Sequence, residues 1–506
     1  MNTKPVESAM INPPLSSHSG STAGPHRREL PVLPQLNGIS GDPKILPDGS
    51  QQYGNVVRLE ILNREIWFDL EQHQVIGWKE ADGSFHYPPS GSAEGGGCGS
   101  CGGGDAAAGD KPLPAESARA KAAYAMGEEL DAINCVELHV NDMCNFRCDY
   151  CYLKSAGNEY LENEMPVDVA TKSVDFMLSQ VSAGRTGVVR FFGGEPLLSY
   201  GLMKQVVEYA EDKAREQNKK VTFMVNTNGS LLNNEKIDWL QRHRFKVNIS
   251  IDGNRESNNQ HRKFVSGNGT WDTAIKKAKL FLEKAGYLNI RSTITDGSFQ
   301  LKESMLEFSR LGDARAVTFQ TECNLVGEPQ VDAVDALSLM REHEELALAL
   351  AEKVRQGEKL GYVNFMEPMF RSYHSLKSSY RCGAARTMVA ISPKGKMYPC
   401  HRFVDVHDTE MGDVDNGLNG KMIQEFKENR VEFKQPCSEC WARHFCGGGC
   451  AFNNYFTNAN IEDPNNVHCK MFRHQVKLGL YLFTDLPSSR QNGSATKIEG
   501  SSPTSA

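Results

Sequence analysis

The chain has 506 residues, enough for two to four domains around a sizeable core, and a formal net charge of −7 with no long basic run. That balance argues against nucleic acid as a partner, and no stretch approaches the ~20 apolar residues that span a bilayer. The fourteen cysteines are a high count, and in a reducing compartment thiols in such number point to metal or catalysis rather than disulfides.

Residues 1–50 are rich in Pro, Ser and Gly and lack an apolar signal core, so they are expected to be a disordered tail on a cytoplasmic protein. Residues 51–88 hold a β-patch, with VVRLEILNREIWFDLEQHQVIGW at 56–78 alternating apolar and polar residues. Residues 89–114 read as a Gly-rich linker that carries Cys98 and Cys101, and 115–132 have Ala-rich helical composition. From 135 onward strand and helix alternate. Strands are predicted at 135–140, 188–192, 221–227, 246–251, 289–294 and 316–321, with helices near 167–181, 201–217, 233–242, 271–285 and 301–311. Six such βα units with near-continuous apolar strands imply an α/β unit over 115–330 built on a buried parallel sheet. Six are too few to close an eightfold barrel, so a partial (β/α)6 barrel or an open sheet is expected. In either, chemistry belongs at the C-terminal ends of the strands. Residues 331–379 read as a helical connector. Residues 380–485 show little regular pattern and are expected to be held by metal ligands, and 486–506 form a Ser-rich tail.

Eleven of the cysteines fall in two places, a triplet and the eight from Cys323 to Cys469. Cys144-x3-Cys148-x2-Cys151 follows the first strand. Three thiolates on one short loop can ligate three irons of a [4Fe–4S] cluster and leave the fourth iron open. A structural zinc site would want a fourth ligand nearby, and His139 lies on the strand instead. Gly193-Gly194-Glu195-Pro196 ends the second strand, Asn226-Thr227-Asn228-Gly229 the third and Ser250-Ile251-Asp252-Gly253 the fourth. Each of these alone is also ordinary turn chemistry.

Taken in order, residues 135–325 resemble the radical S-adenosylmethionine superfamily. The resemblance implies that the triplet's cluster binds S-adenosylmethionine through its open iron, and that a 5′-deoxyadenosyl radical removes a substrate hydrogen. It further implies cofactor contacts from Tyr150, Gly193, Gly194, Glu195, Pro196, Asn226, Ser250 and Asp252, with Glu195 in the element that meets the methionine amine and Arg262 at the cofactor carboxylate.

The second field reads Cys382, Gly395-x4-Cys400, Cys437-x2-Cys440-x5-Cys446-x3-Cys450 and Cys469. It resembles the SPASM domain, which binds two auxiliary [4Fe–4S] clusters and so implies three in all. Carried over, Cys437, Cys440, Cys446 and Cys469 hold the distal cluster, and Cys382, Cys400 and Cys450 the nearer one. The nearer cluster is then one ligand short, because SLKSSYR before Cys382 lacks a cysteine. Cys323 is a possible cap, or the iron is open to a substrate thiolate. His401 stands where the sulfatase-maturing branch has Asp, and YPCHRF looks more like the branch that builds thioether bridges in peptides. His401 and Glu322 are the candidate catalytic residues, set against a hydrogen-bonding role for His401 and a solvated carboxylate for Glu322.

The expected activity is a peptide or protein maturase forming a Cys-derived thioether. Its expected partners are a ribosomally made peptide and a low-potential donor such as ferredoxin or flavodoxin. A formylglycine-generating sulfatase maturase and a multi-cluster electron carrier are the alternatives.

Overall fold

In a computed structural model of the chain, residues 42–88, 132–155, 163–182, 184–312, 317–325 and 330–487 are described. The tail before residue 42, Cys98 and Cys101 with their linker, the Ala-rich stretch before 132 and the Ser-rich end lie outside them.

Six short strands open the described chain: β1 (Lys44–Ile45), β2 (Gln51–Tyr53), β3 (Val56–Ile61), β4 (Arg64–Asp69), β5 (Gln74–Lys79) and β6 (Phe85–His86). Each pairs antiparallel with the next, so the β-patch is a meander, and it begins at Lys44 rather than 51. The period of two puts Val57, Leu59, Ile66 and Phe68 on the buried face and Glu60 outside. That face meets the C-terminal part of the chain. Buried Arg64 pairs with Asp485 at 2.9 Å and Glu80 at 2.8 Å and donates to Thr484 at 2.8 Å. Asp48 accepts from Trp441 Nε1 at 2.8 Å and pairs with Lys477 at 3.2 Å.

The second sheet holds the six anticipated strands, β7 (Cys135–His139), β8 (Thr186–Phe192), β9 (Lys220–Thr227), β10 (Lys246–Ser250), β11 (Leu288–Ile294) and β12 (Val317–Cys323), side by side in sequence order and all parallel. Helices Val167–Gln180, Tyr200–Glu216, Asn234–Arg242, Trp271–Ala285 and Leu301–Ser309 lie between them. The sheet does not close on itself. It gains two strands from the cysteine-rich end: β13 (Met388–Ile391), parallel to β7, and β14 (Met397–Tyr398), antiparallel to β13.

Connector helices Ala333–Arg355 and Val363–Tyr373 pack on helix Asn466–Thr484, which the sequence reading did not isolate. Between 380 and 465 the described elements are all short, as expected of a ligand-held segment.

Candidate active site and cluster-binding thiols

The Cys144–Cys151 loop leaves the C-terminal end of β7 and is held by the ends of its neighbours. Gly194 N–H donates to Asn141 O at 2.8 Å and Glu195 N–H to Met143 O at 2.7 Å. The approach is so close that a Cβ at Gly193 would collide with the Asn141 carbonyl, and one at Gly194 with the Met143 carbonyl. From the β9 end, Asn228 Nδ2 donates to Asn145 Oδ1 at 2.9 Å, while Asn145 reaches Ser230 at 2.9 Å. The three thiols interact with one another, and burial pushes Cys144 up to about 11 and Cys148 up to about 12.

Beside the loop, Tyr150 donates its hydroxyl to Asp252 Oδ2 and accepts from Arg262 at 2.6 Å. Arg262 stands 3.7 Å from the same carboxylate, and Asp252 Oδ1 accepts from Thr293 N–H at 2.9 Å. Arg262 Nε is buried without a protein partner, and its charge lies near Cys144 and Cys148. The Glu195 carboxylate is engaged by its own chain: Oε1 accepts from Leu197 N–H at 3.1 Å and Thr227 at 2.7 Å, Oε2 from Asn228 N–H at 2.7 Å. It ties the β8 end to the β9 end, and Pro196 starts the turn that follows. Asn226 accepts from Asn248 at 2.8 Å, and half-buried Ser250 closes β10.

The second cysteine field divides into two neighbourhoods. Cys437, Cys440, Cys446 and Cys469 interact with one another, and so do Cys382, Cys400 and Cys450. Gly447, Gly448 and Gly449 all have left-handed φ, and this run sends Cys446 to one set and Cys450 to the other. Burial pushes the Cys382 and Cys437 thiols up to about 11 and Cys469 up to about 12. Cys323, the possible cap, lies against Glu322 and Tyr362 instead, and burial pushes it up to about 12.

Among the described residues no three His, Cys, Asp or Glu side chains converge as they would on a single ion. A zinc ion would gather its thiolates around one point at Zn–S distances of about 2.3 Å, whereas a [4Fe–4S] cube gives each thiolate its own iron. Grouped but spaced thiols, with burial holding Cys144, Cys148, Cys382, Cys437 and Cys469 in the neutral form until a metal binds, fit such clusters.

Near the Cys382 set stands a group that spacing did not reveal. Glu137 is fully buried in the middle of β7; burial raises its carboxyl, yet His401 and Arg190 hold it down at about 2. It accepts from His401 N–H at 2.8 Å, lies 3.1 Å from His401 Nδ1 and pairs with Arg190 at 3.1 Å. The His401 ring stacks on Phe192 at 4.2 Å and meets Tyr152, the residue after Cys151, edge-on at 5.6 Å. The signal was present in CVELHV and VVRFF, where opposite charges interrupt two adjacent apolar strands. Glu322 is exposed at the end of β12 beside Gln320, with Arg291 and Arg381 as its charged neighbours, and Arg381 also acts on Cys450.

Residues 138–298 match the family model described as the radical SAM superfamily, and residues 382–441 match SPASM, described as an iron-sulfur cluster-binding domain. The chain is 20% identical over 339 residues to the radical SAM cyclopropyl synthase TigE of Paramaledivibacter caminithermalis, covering 64% of this chain and 68% of that one. It is 20% identical over 354 residues to a cysteine-type anaerobic sulfatase-maturating enzyme of Clostridium novyi, covering 65% and 90%. Across these and a further relative it spans 63–90% of the relatives' own length. A solved structure described as native anSMEcpe with bound AdoMet superposes with a TM-score of 0.58 at 18% identity, covering 69% of this chain and 98% of that one, and so shares its fold.

Proposed function

Because the chain is a radical S-adenosylmethionine enzyme that carries a SPASM iron–sulfur domain, we propose that it is a maturase joining a peptide cysteine to a carbon by a thioether bond. The observation that carries this reading is the three-thiol set Cys382, Cys400 and Cys450, joined to the triplet loop through His401 and Tyr152. S-adenosylmethionine bound at the triplet's cluster supplies the radical that removes a substrate hydrogen.

Cys144, Cys148 and Cys151 would hold that cluster, and Tyr150, Gly193, Gly194, Glu195, Pro196, Asn226, Ser250, Asp252 and Arg262 would shape the cofactor groove. The four-cysteine set would hold one auxiliary cluster and the three-cysteine set another, whose remaining iron suits a thiolate of the substrate. In this reading ionised Glu137 fixes the proton of His401 on Nδ1, leaving Nε2 to take a proton from the substrate. Glu322 is a second candidate base at the mouth of the sheet. A ribosomally made peptide as substrate, a ferredoxin or flavodoxin as donor and a cytoplasmic setting complete the proposal.

Co-expression with a Cys-bearing peptide tests it: mass spectrometry is expected to find two hydrogens lost per bridge. An aldehyde product would instead favour the sulfatase-maturing reading, which the name of the Clostridium relative supports equally. Reduction with S-adenosylmethionine that yields no 5′-deoxyadenosine would leave only the electron carrier.

A further inference from the structure

Lys434 is 7% exposed, and its ammonium donates to Asn429 Oδ1 at 3.1 Å, Gly448 O at 3.0 Å and Ile461 O at 3.1 Å. Those three bonds use all its N–H groups, and none goes to a carboxylate. Four other buried cations reach one: Arg64 pairs with Asp485, Arg190 with Glu137, Arg262 with Asp252 and Arg371 with Glu367. Among the described residues no carboxylate comes within ion-pair distance of Lys434. A buried charge without a counter-charge is costly, so one is needed. The groups whose negative charge would act on it when ionised are, in order, Cys437, Cys446 and Cys469, with Glu462 behind them. Gly448, between Cys446 and Cys450, has φ +88°, and a Cβ there would press to 3.2 Å from the ammonium, so the turn that separates the two cysteine sets also makes room for this cation.

We propose that Lys434 is a resident counter-charge of the distal set Cys437, Cys440, Cys446 and Cys469, beside Arg473, which bonds Cys440, and that it raises the reduction potential of the cluster the set holds. The inference rests on the reading that these four cysteines ligate a cluster. The step is a one-electron couple: [4Fe–4S]2+ takes one electron to become [4Fe–4S]+, with no bond formed or broken. The reduced form carries one more negative charge, so a fixed cation stabilises it more than the oxidised form.

The test is an anaerobic potentiometric titration with dithionite, followed by EPR, on the reconstituted full chain. Lys434→Gln is expected to make the distal cluster at least about tenfold harder to reduce, a midpoint lower by about 59 mV for a one-electron couple. Lys434→Arg, which keeps the charge, is expected to stay near the unmodified protein. An unchanged midpoint in Lys434→Gln with the cluster retained overturns the proposal. Loss of the distal signal in Lys434→Gln but not in Lys434→Arg supports it, because Arg keeps the charge that Gln removes. Loss in both overturns it, leaving Lys434 a strut for three carbonyls. The distal signal is identified by its disappearance in Cys437→Ala/Cys440→Ala. If that double variant keeps every signal, the ligand reading itself fails, and the proposal with it.

Discussion

At the scale of single residues, the glycines of Gly-Gly-Glu-Pro act by what they lack. Gly194 lies against the Met143 carbonyl one residue before Cys144, so a methyl group there must push the cysteine loop off the end of β8. Gly194→Ala is expected to lose ~1–3 kcal/mol of stability and the iron of the triplet's cluster, read by denaturant unfolding and by 5′-deoxyadenosine yield. Gly201→Ala, in a helix with nothing within 4 Å of the new methyl, is the control and is expected to be neutral or slightly stabilising. The site's residue types were legible because strand-end position and spacing mark them. Their pairings were not. The Gly-Gly-Glu-Pro element was expected to meet the cofactor amine, and spacing did not show that its glutamate carboxylate also accepts from Thr227, Leu197 and Asn228. Lys434 sits three residues before Cys437 with nothing in FKQPC to say which atoms it would reach, since its acceptors lie five, fourteen and twenty-seven residues away.

Elements were read well wherever their own apolar period announced them. All six strands of the α/β unit and the five helices between them fall within a few residues of their expected bounds, because a buried parallel strand is a short unbroken apolar run. Helix Asn466–Thr484 escaped for the opposite reason. From Leu478 to Thr484 every residue is buried, so its second half has no polar face to set a 3.6 period. Strands β13 and β14 are four and two residues long and owe their pairing to distant partners. The meander was legible as strands, but its seat was not. That seat depends on contacts such as Asp48 with Lys477 and with Trp441, the residue after Cys440. Asp48→Asn is expected to cost ~2 kcal/mol and to expose the Cys437–Cys446 region to limited proteolysis before the rest of the chain. Equal cleavage of variant and unmodified protein would show that the contact does not hold the meander in place.

For the whole molecule, buried neutral histidines set the acid side of its stability. Burial takes His73 down to about 2, with the charges of His444 and Arg371 adding to it, and takes His343 and His474 down to about 4. These imidazoles stay neutral in the fold but gain protons when unfolded, near pH 6.5. Each therefore contributes stability that is complete above about pH 6.5 and is lost as pH falls toward the folded values, at up to ~1.4 kcal/mol per pH unit. Denaturant midpoints are expected to be lower at pH 5.5 than at pH 7.5, at constant cluster content. A midpoint unaffected over that range would contradict the burial of all three.

The pairing of β13 with β7 also has a consequence in time. The strand that leads into the first cysteine loop receives one of its neighbours from Met388–Ile391, about 250 residues downstream. At a ribosomal pace of 5–20 residues per second, β7 waits roughly 12–50 s with one edge bare, a template for unwanted pairing with other chains. The nascent chain thus cannot complete the sheet beneath the Cys144–Cys151 loop until the segment leading on from Cys382 has been made.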